Sequence, residues 1–185
     1  MTIMDEGFQF DRNKFLDVVH YIAGSCRPEE LGRVKLHKIL YFADMHCFLA
    51  FGKPLTGENY IKQKFGPTAR HLQSALRELE QDGRVQVSER SYHGYPKQDF
   101  IAQKSLNQSA LPAEEIKLLD DVIDFVCART AREISELSHN EAWRLAEMGE
   151  SIPYFMAYSF VPTEITDDDR EWARQETERV LQSAN

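Results

Sequence analysis

A chain of 185 residues is long enough to bury a core of its own, and 42% hydrophobic against 28% charged residues is the balance of an ordinary globular domain. A formal charge of −8 works against a broad basic face for nucleic acid, and no apolar run reaches the length of a membrane span. Cys26, Cys47 and Cys127 are an odd number, far apart in apolar settings, which reads as reduced core thiols rather than a disulfide frame or a zinc site.

Met1 to Phe10 carries neither the basic start nor the apolar run of a secretory signal, so a loose arm on a cytoplasmic protein is expected. From residue 11 to 185 the pattern reads as one domain. Asp11 can cap a helix through Ala23 with Phe15, Val18, Val19 and Ile22 inward. Gly24 and Pro28 break it. A second helix is expected from about Val34 to Ala50. Leu36, Leu40, Ala43 and Cys47 share one side, and Ile39, Phe42, Met45 and Leu49 fill most of the rest. A helix apolar round most of its girth belongs inside a domain. Its polar strip holds His37, Tyr41 and Asp44, and Lys35 and Lys38 are long enough to lift their ammonium groups to water. Gly52 and Pro54 close it.

Gly57 to Lys64 reads as a short extended segment. Gly66-Pro67 is expected to open the following helix, with Pro67 at its first position. Ala69, Leu72, Leu76 and Leu79 then point inward, and Arg70, Gln73, Arg77 and Glu80 outward. Asp82-Gly83 ends that helix. Val85 and Val87 begin a half-buried strand, His93 to Pro96 makes the turn, and Phe100 with Ala102 returns. Helix followed by hairpin is the outline of a winged helix. Beyond a polar linker, Gln103 to Ala110, Pro112 starts a helix carrying Ile116, Leu119, Ile123 and Val126. Thr130 to Glu133 fits a capping box, with Ile134 and Leu137 behind it, and Asn140 can cap a turn bearing Trp143. Tyr154 to Val161 reads as a strand or a buried connection. Thr166 to Asp169 starts a last helix packing through Trp172, Ala173, Val180 and Leu181.

Walker, GxGxxG, GxSxG, HExxH and paired CxxC motifs are absent from the sequence, so several enzyme classes lose their usual handle. His37 and Asp44 share a helical face but make only two ligands. A third would have to come from His20, His71, His93 or His139. Cys47 and Cys127 lie on apolar faces, where desolvation dulls a thiol. Asp120, Asp121 and Asp124 read as solvated helix charge. At Phe65-Gly66-Pro67, a helix start would leave free amides beside Thr68 and Arg70, ready for anions or partner carboxylates. Arg70, His71, Arg77, Arg84, Arg90 and Lys97 supply a modest positive set for a winged-helix DNA-binding regulator, with Glu78, Glu80, Asp82 and Glu89 interleaved among them.

The run KLHKILYFAD, then FGKPL, then KFGPTARHL, with Glu136 to His139 and Ala142-Trp143 further on, resembles the Panacea domain family of SocA-like antitoxins. The resemblance spans about Phe15 to Gly149, with His37 where the family often has Gln and Thr68 where Val is common. It implies a non-enzymatic antitoxin that binds a cognate protein toxin, directly or as an adaptor to a protease such as ClpXP, with no metal or cofactor. A homo-oligomer is compatible with it, membrane association is not expected, and nucleic acid comes second. The fold expected is α+β, a predominantly helical domain with a small antiparallel sheet. The partner surface is expected at Lys35, Lys38, Phe65, Gly66, Pro67, Arg70, His139 and Trp143.

Overall fold

Asp11 opens the first helix, α1 (Arg12–Ser25), by accepting the Lys14 amide at 2.9 Å. Phe15, Val18, Val19 and Ile22 are fully buried along it, as their spacing requires. The computed structural model describes residues 7–92, 94–106 and 111–161, together with 167, 170–172, 174, 175, 177 and 179. Residues 7–10, read from sequence as part of a loose arm, lie against the body. Phe8 meets Phe48 and Tyr154 edge-on, and Phe10 stacks on His71 with ring centres 4.5 Å apart.

The second helix, α2 (Arg33–Phe51), is the centre of the core, and Gly52 ends it in the left-handed region at φ 71°. It is buried on nearly every side. That includes Tyr41 and Asp44, so the polar strip is interior rather than a route to solvent. Lys35 and Lys38 are buried as well, which corrects the expectation that they reach water. Each ammonium finds a backbone carbonyl instead: Lys35 Nζ donates to Cys127 O at 3.2 Å and Lys38 Nζ to Pro67 O at 2.8 Å.

Next comes a tight antiparallel hairpin of β1 (Tyr60–Gln63) and β2 (Gly66–Ala69), with Lys62 opposite Pro67 and Gln63 opposite Gly66. This overturns the reading of Pro67 as the first residue of a helix. The segment stays extended because β1 and α2 take up its polar groups, and α3 (Leu72–Gln81) starts only at Leu72. Residues 149–152 run along the far edge of β1: Ile152 N donates to Tyr60 O at 2.7 Å and Lys62 N to Glu150 O at 2.9 Å. Leu72, Leu76 and Leu79 are buried along α3 as expected. A longer hairpin follows, β3 (Val85–Tyr92) with β4 (Tyr95–Ala102), Val87 facing Phe100, which preserves the helix-then-hairpin outline.

The remaining helices are α4 (Ala113–Cys127), α5 (Ala131–Leu137) and α6 (Glu141–Leu145). The capping box forms between Thr130 and Glu133, and Asn140 accepts the Trp143 amide at 3.2 Å. Tyr154–Phe160 is a 3-10 helix rather than a strand. The described positions from 167 to 179 are helical, but Trp172 is 67% exposed and packs no core there. Ala173, Val180 and Leu181 lie outside the described residues, as do His93 and residues 107–110 of the linker.

Candidate partner-binding site

The β1–β2 hairpin turns in two residues, Lys64 and Phe65, and its polar backbone is held from three directions. From α2, Lys38 Nζ grips Pro67 O, and His37 Nδ1 accepts the Ala69 amide at 3.1 Å. From α5, the Ser135 hydroxyl donates to Phe65 O at 2.9 Å, and Ser138 Oγ folds back onto Ser135 O at 2.7 Å. From α6, Trp143 Nε1 donates to Gln63 O at 3.1 Å. Gly66 is the point where these supports converge. Its φ of +97° suits glycine, and a Cβ there would stand 2.3 Å from Ser138 Oγ and 2.6 Å from Lys38 Nζ. Only a residue without a side chain lets α2 and α5 close on the strand together.

Burial sets the electrostatics. Lys38 is 1% exposed, and desolvation brings its ammonium down to about 7. Burial, then the charges of Lys38 and Arg33, pull His37 down to about 3. The imidazole is therefore neutral at pH 7, as an Nδ1 acceptor of the Ala69 amide must be. Deeper along the same helix, Asp44 is fully buried and accepts from Thr56 N, Thr56 Oγ1 and Tyr60 OH at 2.6–2.7 Å. Burial pushes its carboxyl up to about 6, and the bonds from Tyr60 and Thr56 hold it from going further. His37 and Asp44 thus serve different partners and do not converge on a metal. Among the described residues, His, Cys, Asp and Glu form no group of three or more that could hold one.

The tip of this hairpin is exposed at Gln63, Lys64 and Phe65. Phe65, at the tip, is 63% exposed despite its fixed carbonyl, and Lys64 Nζ stands 5.6 Å from the centre of its ring. His139 and Trp143 stack at 3.9 Å, with Lys62 Nζ 4.3 Å over the Trp143 ring. Lys62 also donates to Ala146 O at 2.8 Å, tying down the segment on which Leu145 and Met148 are exposed. His139 is pushed down by burial and then by Lys38, and its Nε2 has no hydrogen-bond partner among the described residues.

The eight residues singled out from sequence therefore divide. Lys38, Gly66 and Pro67 are buried supports, half-buried Trp143 holds Gln63 O and stacks on His139, and Phe65 is exposed at the tip. Arg70 is exposed at the opposite end of the hairpin, where its amide donates to Asn59 O. The free-amide argument for that position falls with the helix start, since the next amide, His71 N, donates to Glu58 Oε2 at 3.1 Å. Lys35 faces a different groove, beside the end of α4. Sequence reasoning missed Ser135, Ser138, Gln63 and Lys62. The one signal for Ser138 was its place beside His139, whereas the carbonyl donated by Gln63 leaves no mark on residue type.

The positive set proposed for DNA is mostly neutralised. Arg84 pairs with Asp17, Arg90 and Lys97 both meet Asp99, and His71 contacts buried Glu58. No helix among the described residues is long and apolar enough to cross a membrane. No curated protein and no solved structure matches the chain. A family model described as antitoxin SocA-like, Panacea domain, matches residues 36–144, a span that runs from α2 into α6 and encloses the whole pinned hairpin. With more than half of its length matched in this way, the chain belongs to the SocA-like antitoxin family with a Panacea domain.

Proposed function

We propose that the protein is the antitoxin of a toxin–antitoxin system and that it neutralises a cognate protein toxin by binding it at the tip of the β1–β2 hairpin. Family membership supports the antitoxin role. One observation carries the placement: Phe65 is exposed while its backbone is clamped by Ser135, and its neighbours Gly66 and Pro67 are locked by Lys38. A large apolar side chain presented from a backbone already fixed leaves only its own rotamers to be ordered on binding, which suits an interface anchor. Leu145, Met148 and the Trp143–His139 stack add apolar surface, and exposed patches of this kind mark contact surfaces. A binding role, not catalysis, accounts for the same features.

Rescue of cells expressing the toxin, supplied as the toxic reading frame next to this gene, tests the proposal. Phe65→Ala is expected to melt like the parent and to fail in rescue, and Arg70→Ala is expected to rescue. Normal rescue by folded Phe65→Ala, Leu145→Ala and Met148→Ala variants would place the toxin elsewhere. Toxin abundance in the rescued cells separates the two routes: covering the toxin leaves its level unchanged, and delivery to a protease depletes it.

A further inference from the structure

At the other end of α2, a groove of about 950 Å3 opens between the loop after α1 and the end of α4, lined by Glu29, Lys35, Lys97, Cys127, Arg129 and Glu133 among others. Half-buried Cys127 stands on its wall, and directly behind it lies Cys26, the buried residue that ends α1. The two sulfurs are 3.6 Å apart although 101 positions separate them in the chain. We propose that Cys127 and Cys26 form a reversible redox site, in which a small peroxide entering this groove oxidises Cys127 and Cys26 resolves the product to an intramolecular disulfide. The inference stands apart from the antitoxin reading, since it concerns another face of the molecule and needs no toxin.

Three features assign the roles. Cys127 is the sulfur on the groove, so it meets the oxidant first. Its thiol is held below the usual range by hydrogen bonding with Cys26, which outweighs burial, and by the Lys35 ammonium, against the opposing charges of Glu30 and Asp124. Cys26 is driven the other way, by its bond to Cys127 and by burial, and keeps its proton. A sulfur at the opening whose thiol is held low, in contact with a second thiol behind it that is held high, is the arrangement of an attacking and a resolving cysteine. Cys47 supplies the internal contrast: it is buried in α2, and burial with Asp44 and Glu115 nearby pushes its thiol up to about 12.

The chemistry closes without another reagent. The Cys127 thiolate attacks one peroxide oxygen, the O–O bond breaks, and the departing hydroxide takes up a proton to leave as water. The product is a sulfenic acid. The Cys26 sulfur then attacks the Cys127 sulfur, and the sulfenic hydroxyl leaves as a second water with the proton from Cys26. Two thiols and one hydrogen peroxide become one disulfide and two waters. A disulfide is about 2.05 Å long, so the sulfurs must approach by roughly 1.5 Å to bond. The bond would tie the end of α1 to the end of α4 and stiffen one wall of the groove.

The test uses the intact, fully reduced protein and hydrogen peroxide alone. Two of the three thiols are expected to disappear, with one Cys26–Cys127 cross-link on non-reducing peptide mapping, a higher melting temperature, and full reversal by dithiothreitol. Cys26→Ser is expected to halt the reaction at a Cys127 sulfenic acid that dimedone traps, and Cys127→Ser to leave Cys26 unreacted. Should either variant fail to fold, the wild-type map decides. Modification of Cys47 ahead of Cys127, cross-links chiefly between molecules, or retention of all three thiols would overturn the proposal.

Discussion

Replacing Lys38 with methionine removes a charge from the interior while keeping an unbranched stem of similar length in place. The structure sets how the consequence depends on pH. Lys38 is 1% exposed, and burial lowers its ammonium from 10.5 to about 7. Between those values the unfolded chain holds the proton and the folded chain releases it, so this site adds stability as pH rises. The penalty for burying the charge is present in full below pH 7 and is gone above the unfolded value. At about 1.36 kcal/mol per pKa unit, the whole span amounts to roughly 5 kcal/mol, of which about 2 kcal/mol is recovered between pH 7 and pH 9. Methionine cannot titrate. His37 and His139, which burial and then the Lys38 charge push down, are both shifted below 6.5 and away from the pH 7–9 window, and the lost bond to Pro67 O is a constant offset within it. Urea unfolding of both proteins at pH 7, 8 and 9 reads the difference directly. Wild type is expected to gain about 2 kcal/mol on Lys38→Met across that range. A gap that stays constant within about 0.5 kcal/mol would show that Lys38 keeps an ordinary, solvated ammonium, and the pinned hairpin would lose its main support.

Gly66→Ala should destabilise the protein by about 2 kcal/mol or more, because the positive φ and the contacts with Ser138 and Lys38 penalise the added methyl together. Adding Ser138→Gly should restore part of the loss, as thermal melting of single and double variants would show. Leu40→Ala removes a core side chain and should lose about 2–5 kcal/mol. His37→Ala leaves the Ala69 amide without its acceptor and should lose about 1–3 kcal/mol, measured by the same denaturation assay. Asp44 titrates in the opposite sense from Lys38. Its folded value, about 6, lies above the unfolded 3.8, so between them the folded state holds the extra proton and stability at this site falls as pH rises. In Asp44→Asn that slope between pH 4 and pH 6 should flatten, which unfolding curves in acetate and MES buffers would detect.

What the sequence made legible is what depends on neighbours three or four residues away. Asp11, the Thr130–Glu133 box and Asn140 cap their helices as read, since a cap needs only its own first turn. The apolar stripes of α1, α3 and α4 followed their spacing for the same reason. Pro67 shows where local reading stops. Gly-Pro is a fair helix opening by propensity, yet Lys38 and His37, some thirty residues earlier, supply the partners that keep it extended. Lys38 itself was misjudged on identical grounds. A lysine stem reaches water or a buried carbonyl equally well, and only the fold decides which lies at its end. Asp44 depends on Thr56 and Tyr60, twelve and sixteen positions away, so nothing in its own helix announces that it is interior.

That distinction bears on how the family motif should be read. Lys38, Gly66 and Pro67 all lie in the matched region, and the resemblance named them as a group. Their common property in the fold is burial, because each fixes the path of two strands from beneath. Such residues govern binding through shape, so their loss should lower the melting temperature and neutralisation together. Phe65 belongs to the same motif but faces the other way, and nothing in the core depends on its ring. Its backbone is set by Ser135 and Gly66, so replacing its side chain is expected to leave the turn that presents it in place. On the reading proposed above, buried supports hold the turn, and the exposed side chain at its tip is the group that meets the toxin. Under the proposed function, the supports set where the tip stands, and replacing exposed Phe65 is expected to alter recognition without altering the melting temperature.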